Sequence, residues 1–234
     1  MFKQKKERQG LTKDKLSYNK KMSLLKIFII SVLLVQSASA DKAYVEAQLL
    51  KRIVKKYKVF AKKRFFYQQK TLDRLKNKSE MEKLKGVNDF YNKVRYVPDR
   101  KVYGKKDYWA TPWQFLGKDK GDCEDYVIAK YFALLYLGVD AKKLFFTYVK
   151  SKRFNASHMV LTYFKTPHAE PLVLDNYNLK IFPASKRKDL IPIYNFNGET
   201  LYKASSKGNG KKVKSNKAHK KWGRLMKNMK NKVI

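Results

Sequence analysis

The sequence predicts an α+β fold in which helices come first and an antiparallel sheet follows. Three observations carry this reading. Apolar residues recur at helical spacing between Asp41 and Lys85. A second helical pattern starts at Cys123, the single cysteine of the chain, and runs to Leu137. Beyond Gly138 the period changes to short β-branched and aromatic runs divided by polar or proline-containing turns, which is the pattern of strands.

Residues 1–40 stand apart from that fold. Lys20 and Lys21 precede an apolar run from Ile27 to Val35, and Ser37-Ala38-Ser39-Ala40 closes it with small side chains. A basic segment, a short apolar one and an A-x-A-like end predict a secretory signal peptide cut after Ala40. The run is short for a membrane span, which favours the cleaved peptide over the alternative, an uncleaved N-terminal anchor. Met22 reads as the better start, because Met1–Lys21 is a polar, lysine-rich extension. The body of the protein is therefore expected in a bacterial periplasm. A single thiol in an oxidising compartment has no internal disulfide partner and is a candidate reactive group.

Charge is the next constraint. The chain carries 55 Lys and Arg against 19 Asp and Glu, a formal net charge of +36. Residues 1–40 hold nine basic and two acidic residues, so +29 remains beyond them. From Lys203 to Ile234 there are twelve Lys or Arg and no acid, with Ser, Gly and Asn between them, which reads as a disordered basic tail. Its last part, around Trp222, Leu225, Met226 and Met229, is expected to form a short amphipathic helix on an anionic membrane surface. Such a tail would contact nucleic acid only non-specifically, and an exported protein meets lipid first.

Taken in order, residues 41–86 form an N-terminal helical region of one or two covering helices, with Val45, Leu49, Leu50, Ile53, Val54, Tyr57, Phe60 and Ala61 in register. Val87–Val94 suggests another short helix, ended near Pro98. Asp107 to Leu116 is aromatic-rich and broken by Pro112, a packed loop leading into a short helix before Gly117; Trp109 and Trp113 line a cleft or belong to the core. Gly121 then permits a turn, Asp122 is a good N-cap, and Val127, Ile128, Phe132, Leu134 and Leu135 supply a buried helix face that Gly138 ends. A thiol in the first turn feels the positive end of the helix dipole, which is expected to lower its pKa.

The strands follow over Leu144–Val149, Ser157–Phe164 and Pro171–Asp175. Alternation places His158, Val160 and Thr162 on one face of the second strand and Val173 with Asp175 on one face of the third. A turn over Thr166–Ala169 would set Asp175 opposite residues 158–160, within reach of the imidazole. Of the three histidines only His158 lies on a strand. A thiol, an imidazole and a carboxylate are the nucleophile, general base and orienting group of a cysteine hydrolase. The alternative is a packed cysteine, a satisfied histidine and an aspartate that begins a turn.

Asp122, Glu124 and Asp125 oppose a thiolate, because carboxylates in the same turn disfavour a second anion. A bound hard cation would cancel them, and three oxygen-bearing side chains over four residues suit Ca²⁺. Acids also favour the first turn of a helix for its dipole alone.

Four separated motifs carry a resemblance. Asp107-Tyr108-Trp109-Ala110-Thr111-Pro112, Gly121-Asp122-Cys123-Glu124-Asp125-Tyr126, Ser157-His158-Met159-Val160-Leu161 and Pro171-Leu172-Val173-Leu174-Asp175-Asn176 closely resemble the bacterial transglutaminase-like cysteine proteinases, the LapG-type periplasmic proteases. The resemblance covers about Val87 to Tyr202, so residues 87–202 are expected to be the protease core. It implies a papain-like or transglutaminase-like fold with the catalytic cysteine at a helix N-terminus facing the sheet. It implies catalytic Cys123, His158 and Asp175, with Ca²⁺ held by Asp122, Glu124 and Asp125 and Asp107 as a weaker candidate. The implied activity is cleavage of a large surface adhesin near its N-terminal retention region, which controls biofilm attachment. The implied partner is an inner-membrane cyclic di-GMP receptor that sequesters the protease. The oxyanion would be met by the Cys123 N–H and a second donor, Trp113 or Gln114. The basic tail at 203–234 departs from the family pattern. Two other activities fit the same residues: a transglutaminase that passes the thioester to an amine, or a non-enzymatic basic Ca²⁺-binding surface protein.

Overall fold

The computed structural model describes residues 43–198, 200–204, 210–213 and 217–234. The expected signal peptide lies outside them. Helix α1 spans Ala47–Leu75 and turns Leu49, Ile53, Ala61, Phe65, Leu72 and Leu75 inward. Lys58 breaks it with φ 67° and ψ −166°, so two helical segments meet at a kink. Positive φ is costly for a side chain with a Cβ, and this is the one interruption of the α1 backbone pattern.

Helix α2 spans Glu80–Tyr91 and starts earlier than the helix expected over Val87–Val94. The reason is a capping box: Ser79 Oγ accepts the Glu82 N–H at 3.4 Å while Glu82 returns a bond to the Ser79 N–H at 3.0 Å. The boundary expected between residues 86 and 87 falls inside this helix. Strand β1 (Arg95–Tyr96) pairs in parallel with β2 (Lys120–Gly121), and between them lie α3 (Asp99–Tyr103) and α4 (Pro112–Lys118). Helix α5 runs from Cys123 to Tyr136, and Gly138 beyond it takes φ +81°, the left-handed conformation that closes a helix.

The sheet has seven strands in the order β6-β5-β4-β3-β7-β8-β9, every neighbouring pair antiparallel. They are β3 (Leu144–Ser151), β4 (Ala156–Tyr163), β5 (Leu172–Leu174), β6 (Phe182–Pro183), β7 (Leu190–Phe196), β8 (Leu201–Lys203) and β9 (Lys211–Val213). Alternation sends Met159, Leu161 and Tyr163 of β4 into the core shared with α5, and Val160 to a smaller cluster with Val149 and Val173 on the other face. The α+β class is thus the observed one: helices on one face, an antiparallel sheet behind them.

The last part of the basic tail forms a helix that packs inward. Helix α6 (Lys217–Lys230) docks its apolar side on the protein itself. Leu225 is fully buried, and the Trp222 ring stacks on Phe132 at 6.1 Å and 3° while meeting Phe146 and Phe196 edge-on. Gly198, at φ +94°, leaves that ring its space, because a Cβ there would lie 2.9 Å from it. Thr111 Oγ1 donates to the Val233 carbonyl at 2.8 Å, and Lys232 pairs with Glu46 at 2.5 Å. The face expected to lie on a membrane is spent on folding, so residues 43–234 make one compact unit. Among the described residues no helix is long and apolar enough to cross a membrane.

Candidate active site

The turn before α5 is built by close approach. A Cβ on Gly121 would lie 2.4 Å from Asp125 Oδ2 and 2.7 Å from the Phe115 ring, so only glycine fits. Tyr96 pairs with Gly121, and the Val97 N–H donates to the Gly121 carbonyl at 2.8 Å, which fixes the chain entering the helix. Asp122 occupies the N-cap position but makes no side-chain cap; its Oδ2 accepts the Asp99 N–H at 3.3 Å instead. Cys123 is the first residue of α5. Its Sγ donates to Glu124 Oε2 at 3.1 Å and receives the backbone N–H of Met159. Burial, then the charge and hydrogen bond of Glu124, then Asp122 push the thiol pKa well up. The lowered pKa expected from the helix dipole is reversed, because half-charges at a helix end are outweighed by desolvation and neighbouring full charges.

His158 lies on β4 one residue before Met159. The β4–β5 register pairs Leu161 with Leu174, so Asp175, just past the strand end, continues toward Val160, two residues along the same face of β4 from His158. His158 Nε2 and Asp175 Oδ1 are 2.8 Å apart, with both side chains fully buried. Asp175 Oδ1 also accepts the N–H groups of Asn176 at 2.7 Å and Tyr177 at 3.0 Å, and Oδ2 accepts Arg187 Nη2 at 2.6 Å. Burial opposes ionisation of Asp175, but the His158 and Arg187 bonds outweigh it and hold the carboxyl well below the usual range. An ionised Asp175 places the proton on Nε2 and leaves Nδ1 as the basic nitrogen. Nδ1 is buried with no hydrogen-bond partner among the described residues, in the residue next to the N–H that meets the cysteine sulfur. The Tyr177 ring lies flat on the imidazole, 3.9 Å between centroids and 4° between planes.

A second ring of residues fixes Asp175 from the helices. Its carbonyl accepts Asn92 Nδ2 at 2.8 Å and Lys130 Nζ at 3.2 Å, and Lys130 also donates to Asn88 Oδ1 at 2.8 Å. Lys130 is fully buried; desolvation brings its pKa down to about 7 against the pull of Asp175 and Asp89. The sequence reading assigns no role to Arg187, Tyr177, Asn92 or Lys130. For Lys130 there was a signal, a lysine inside the apolar run Val127-Ile128-Ala129-Lys130-Tyr131. For Arg187, far along the chain at a turn, there was none.

The acidic residues form two overlapping groups joined by Asp99, which the sequence reading also missed. Ligand oxygens of Asp99, Asp122 and Asp125 lie within 4.8 Å of one another, as do those of Asp99, Asp107 and Glu124. Asp122 and Asp125 of the expected ligand set thus fall in one group and Glu124 in the other. Asp99 Oδ1, Asp122 Oδ1 and Asp125 Oδ2 are buried without a partner among the described residues. Burial followed by the neighbouring carboxylates raises Asp99 to about 6 and Asp122 to about 9, and lifts Asp125 well above its ordinary value. Three orphaned carboxylate oxygens converging in a buried space are a donor set for a hard cation. Lys221 of α6 forms an ion pair with Asp107 at the rim of this cluster.

The aromatic residues resolve as core. Trp109 stacks on Phe146, and Trp113 packs against Tyr44 at 5.5 Å. Gln114 closes a capping box with Thr111, accepting its N–H at 3.0 Å, and donates to the Tyr108 hydroxyl at 3.2 Å. Its amide is thereby committed to starting α4, not offered to an oxyanion.

Residues 62–189 match the sequence model of the bacterial transglutaminase-like cysteine proteinases, BTLCP. Calcium-bound LapG of Legionella pneumophila is similar at 38% identity and a TM-score of 0.68, over 79% of this chain and 99% of that one. A second LapG structure from the same organism gives 38% identity and 0.65, and an EGTA-treated one 39% and 0.65, each over 77% of this chain and 97% of the other. No curated protein matches the chain. At that identity and coverage, with the family model spanning both the cysteine turn and the strands behind it, the chain belongs to the bacterial transglutaminase-like cysteine proteinases.

Proposed function

We propose that the protein is a Ca²⁺-dependent cysteine endopeptidase of the periplasm, delivered by a cleaved signal peptide at residues 1–40. We infer that it cuts the N-terminal region of a large surface adhesin and so controls biofilm attachment. The observation that carries the reading is the buried His158–Asp175 pair at 2.8 Å, with the unpartnered Nδ1 adjoining the residue that meets Cys123 Sγ. Nδ1 takes the thiol proton, and Sγ attacks the scissile carbonyl carbon. The oxyanion meets the backbone N–H of Cys123 at the start of α5. Collapse breaks the C–N bond, Nδ1 protonates the leaving amine, and a thioester remains. Nδ1 then deprotonates water, which attacks the thioester; the acid leaves and the sulfur regains its proton. Asp175, itself held by Arg187, keeps the imidazole in the required tautomer throughout.

The residues fit a calcium ion. Asp99, Asp122 and Asp125 would hold it through their orphaned oxygens, with Glu124 and Asp107 at the second group. When bound, the ion supplies positive charge that cancels the carboxylates beside the thiol. Similarity to calcium-bound LapG supports calcium as the ion. Family resemblance supports sequestration by an inner-membrane cyclic di-GMP receptor.

The test is incubation with the N-terminal region of a surface adhesin from the same cell, with mass spectrometry of the products. Two free peptides are expected, abolished by Cys123→Ala and by EGTA. Amine-linked products would instead assign a transglutaminase, and no product from the wild type in the presence of calcium would leave a non-enzymatic calcium-binding role.

A further inference from the structure

The second segment of α1 presents an apolar face to solvent. Val59, Phe60, Phe66 and Tyr67 are 54%, 68%, 63% and 59% exposed, while Ala61, Phe65 and Leu72 on the opposite side are buried. At 3.6 residues per turn, positions 59, 60, 63, 66, 67 and 70 share a sector of about 120°. Lys63 and Lys70 lie inside that sector, and Lys63 Nζ stands 6.0 Å from the Phe60 ring centroid. The Phe66 and Tyr67 rings meet edge-on at 5.7 Å. Over its length α1 carries ten Lys or Arg and a single acid, Asp73.

We propose that this face of α1, from Val59 to Lys70, is a peripheral docking surface for anionic phospholipid. The charge selects the occupant. The centre of a protein–protein contact is depleted in lysine, whereas here lysines stand among the rings. Aromatic rings settle at headgroup depth, and lysine stems lie along the apolar boundary with their ammonium groups at the phosphates. Helix α6, the basic element the sequence singled out for this task, has its apolar side filled by the core, with Leu225 buried and Trp222 stacked. The surface role thus passes from the tail to α1. It is independent of the protease assignment, since none of these residues touches Cys123, His158 or Asp175.

The test is co-sedimentation of the full chain with vesicles of phosphatidylglycerol mixed with phosphatidylcholine, and with vesicles of phosphatidylcholine alone. The wild type is expected to partition onto the anionic vesicles and to be released by salt. Phe60→Ser/Phe66→Ser/Tyr67→Ser is expected to weaken partition at least about tenfold with unchanged circular dichroism, and Lys63→Glu/Lys70→Glu to weaken it with the rings intact. Three results would overturn the proposal. These are no binding by the wild type, equal binding by wild type and ring variant, or a concentration-dependent dimer of the wild type that the ring variant loses, which would make the face a contact between copies of the chain.

Discussion

Lys130 offers a perturbation whose size the structure sets. Its ammonium is fully buried between Asn88 and the Asp175 carbonyl, and its pKa falls from 10.5 to about 7 on folding. A lysine with a depressed folded pKa costs stability in its charged form: the penalty is full below pH 7 and vanishes as pH rises past the unfolded value. The 3.5-unit difference corresponds to about 5 kcal/mol at full protonation, of which about 2 kcal/mol is recovered between pH 7 and pH 9. Lys130→Met keeps the length of the side chain and removes the titration. Urea unfolding of both proteins at intervals from pH 6 to pH 9.5, in the same calcium buffer, isolates this one group. The wild type should gain about 2 kcal/mol on the variant between pH 7 and pH 9, the variant being relatively most favoured at the acidic end. Parallel pH profiles for the two proteins would refute a charged, desolvated Lys130.

The remaining predictions test other joints of the structure. Asp175→Asn should lower kcat about 10⁴-fold by permitting the wrong imidazole tautomer, and Arg187→Met should lower it about tenfold or more with little change in KM; peptide-cleavage kinetics distinguish both from a binding defect. Gly121→Ala forces a Cβ against Asp125 Oδ2, so calcium affinity measured by calorimetry should weaken about 10- to 100-fold while Cys123 remains in place. Leu225→Ala should destabilise the protein by about 3 kcal/mol in chemical denaturation, whereas a disordered tail would give no change.

What the sequence determined was local. The helix beginning at Cys123 follows from Gly121, a short acidic N-terminus and an apolar face ended by Gly138. The strands carrying His158 and Asp175 follow from alternation, and the hairpin between them brings the pair into register because a turn of fixed length sets which residues face each other. The Ser79–Glu82 capping box is equally legible in the sequence and starts α2 at Glu80. The tertiary structure decided everything that depends on contact between distant segments. Arg187 reaches Asp175 across twelve residues, Lys130 reaches its carbonyl from another element, and Asp99 meets Asp122 and Asp125 from a separate helix; no spacing rule joins such positions. The thiol's raised pKa has the same origin, since burial and neighbouring charge are properties of the folded site and override the helix dipole that sequence reveals. The exchange of roles between α1 and α6 follows the same logic. Both are basic and amphipathic in sequence, and only packing determines which apolar face is covered by Phe132, Phe146 and Phe196 and which is left to meet a surface.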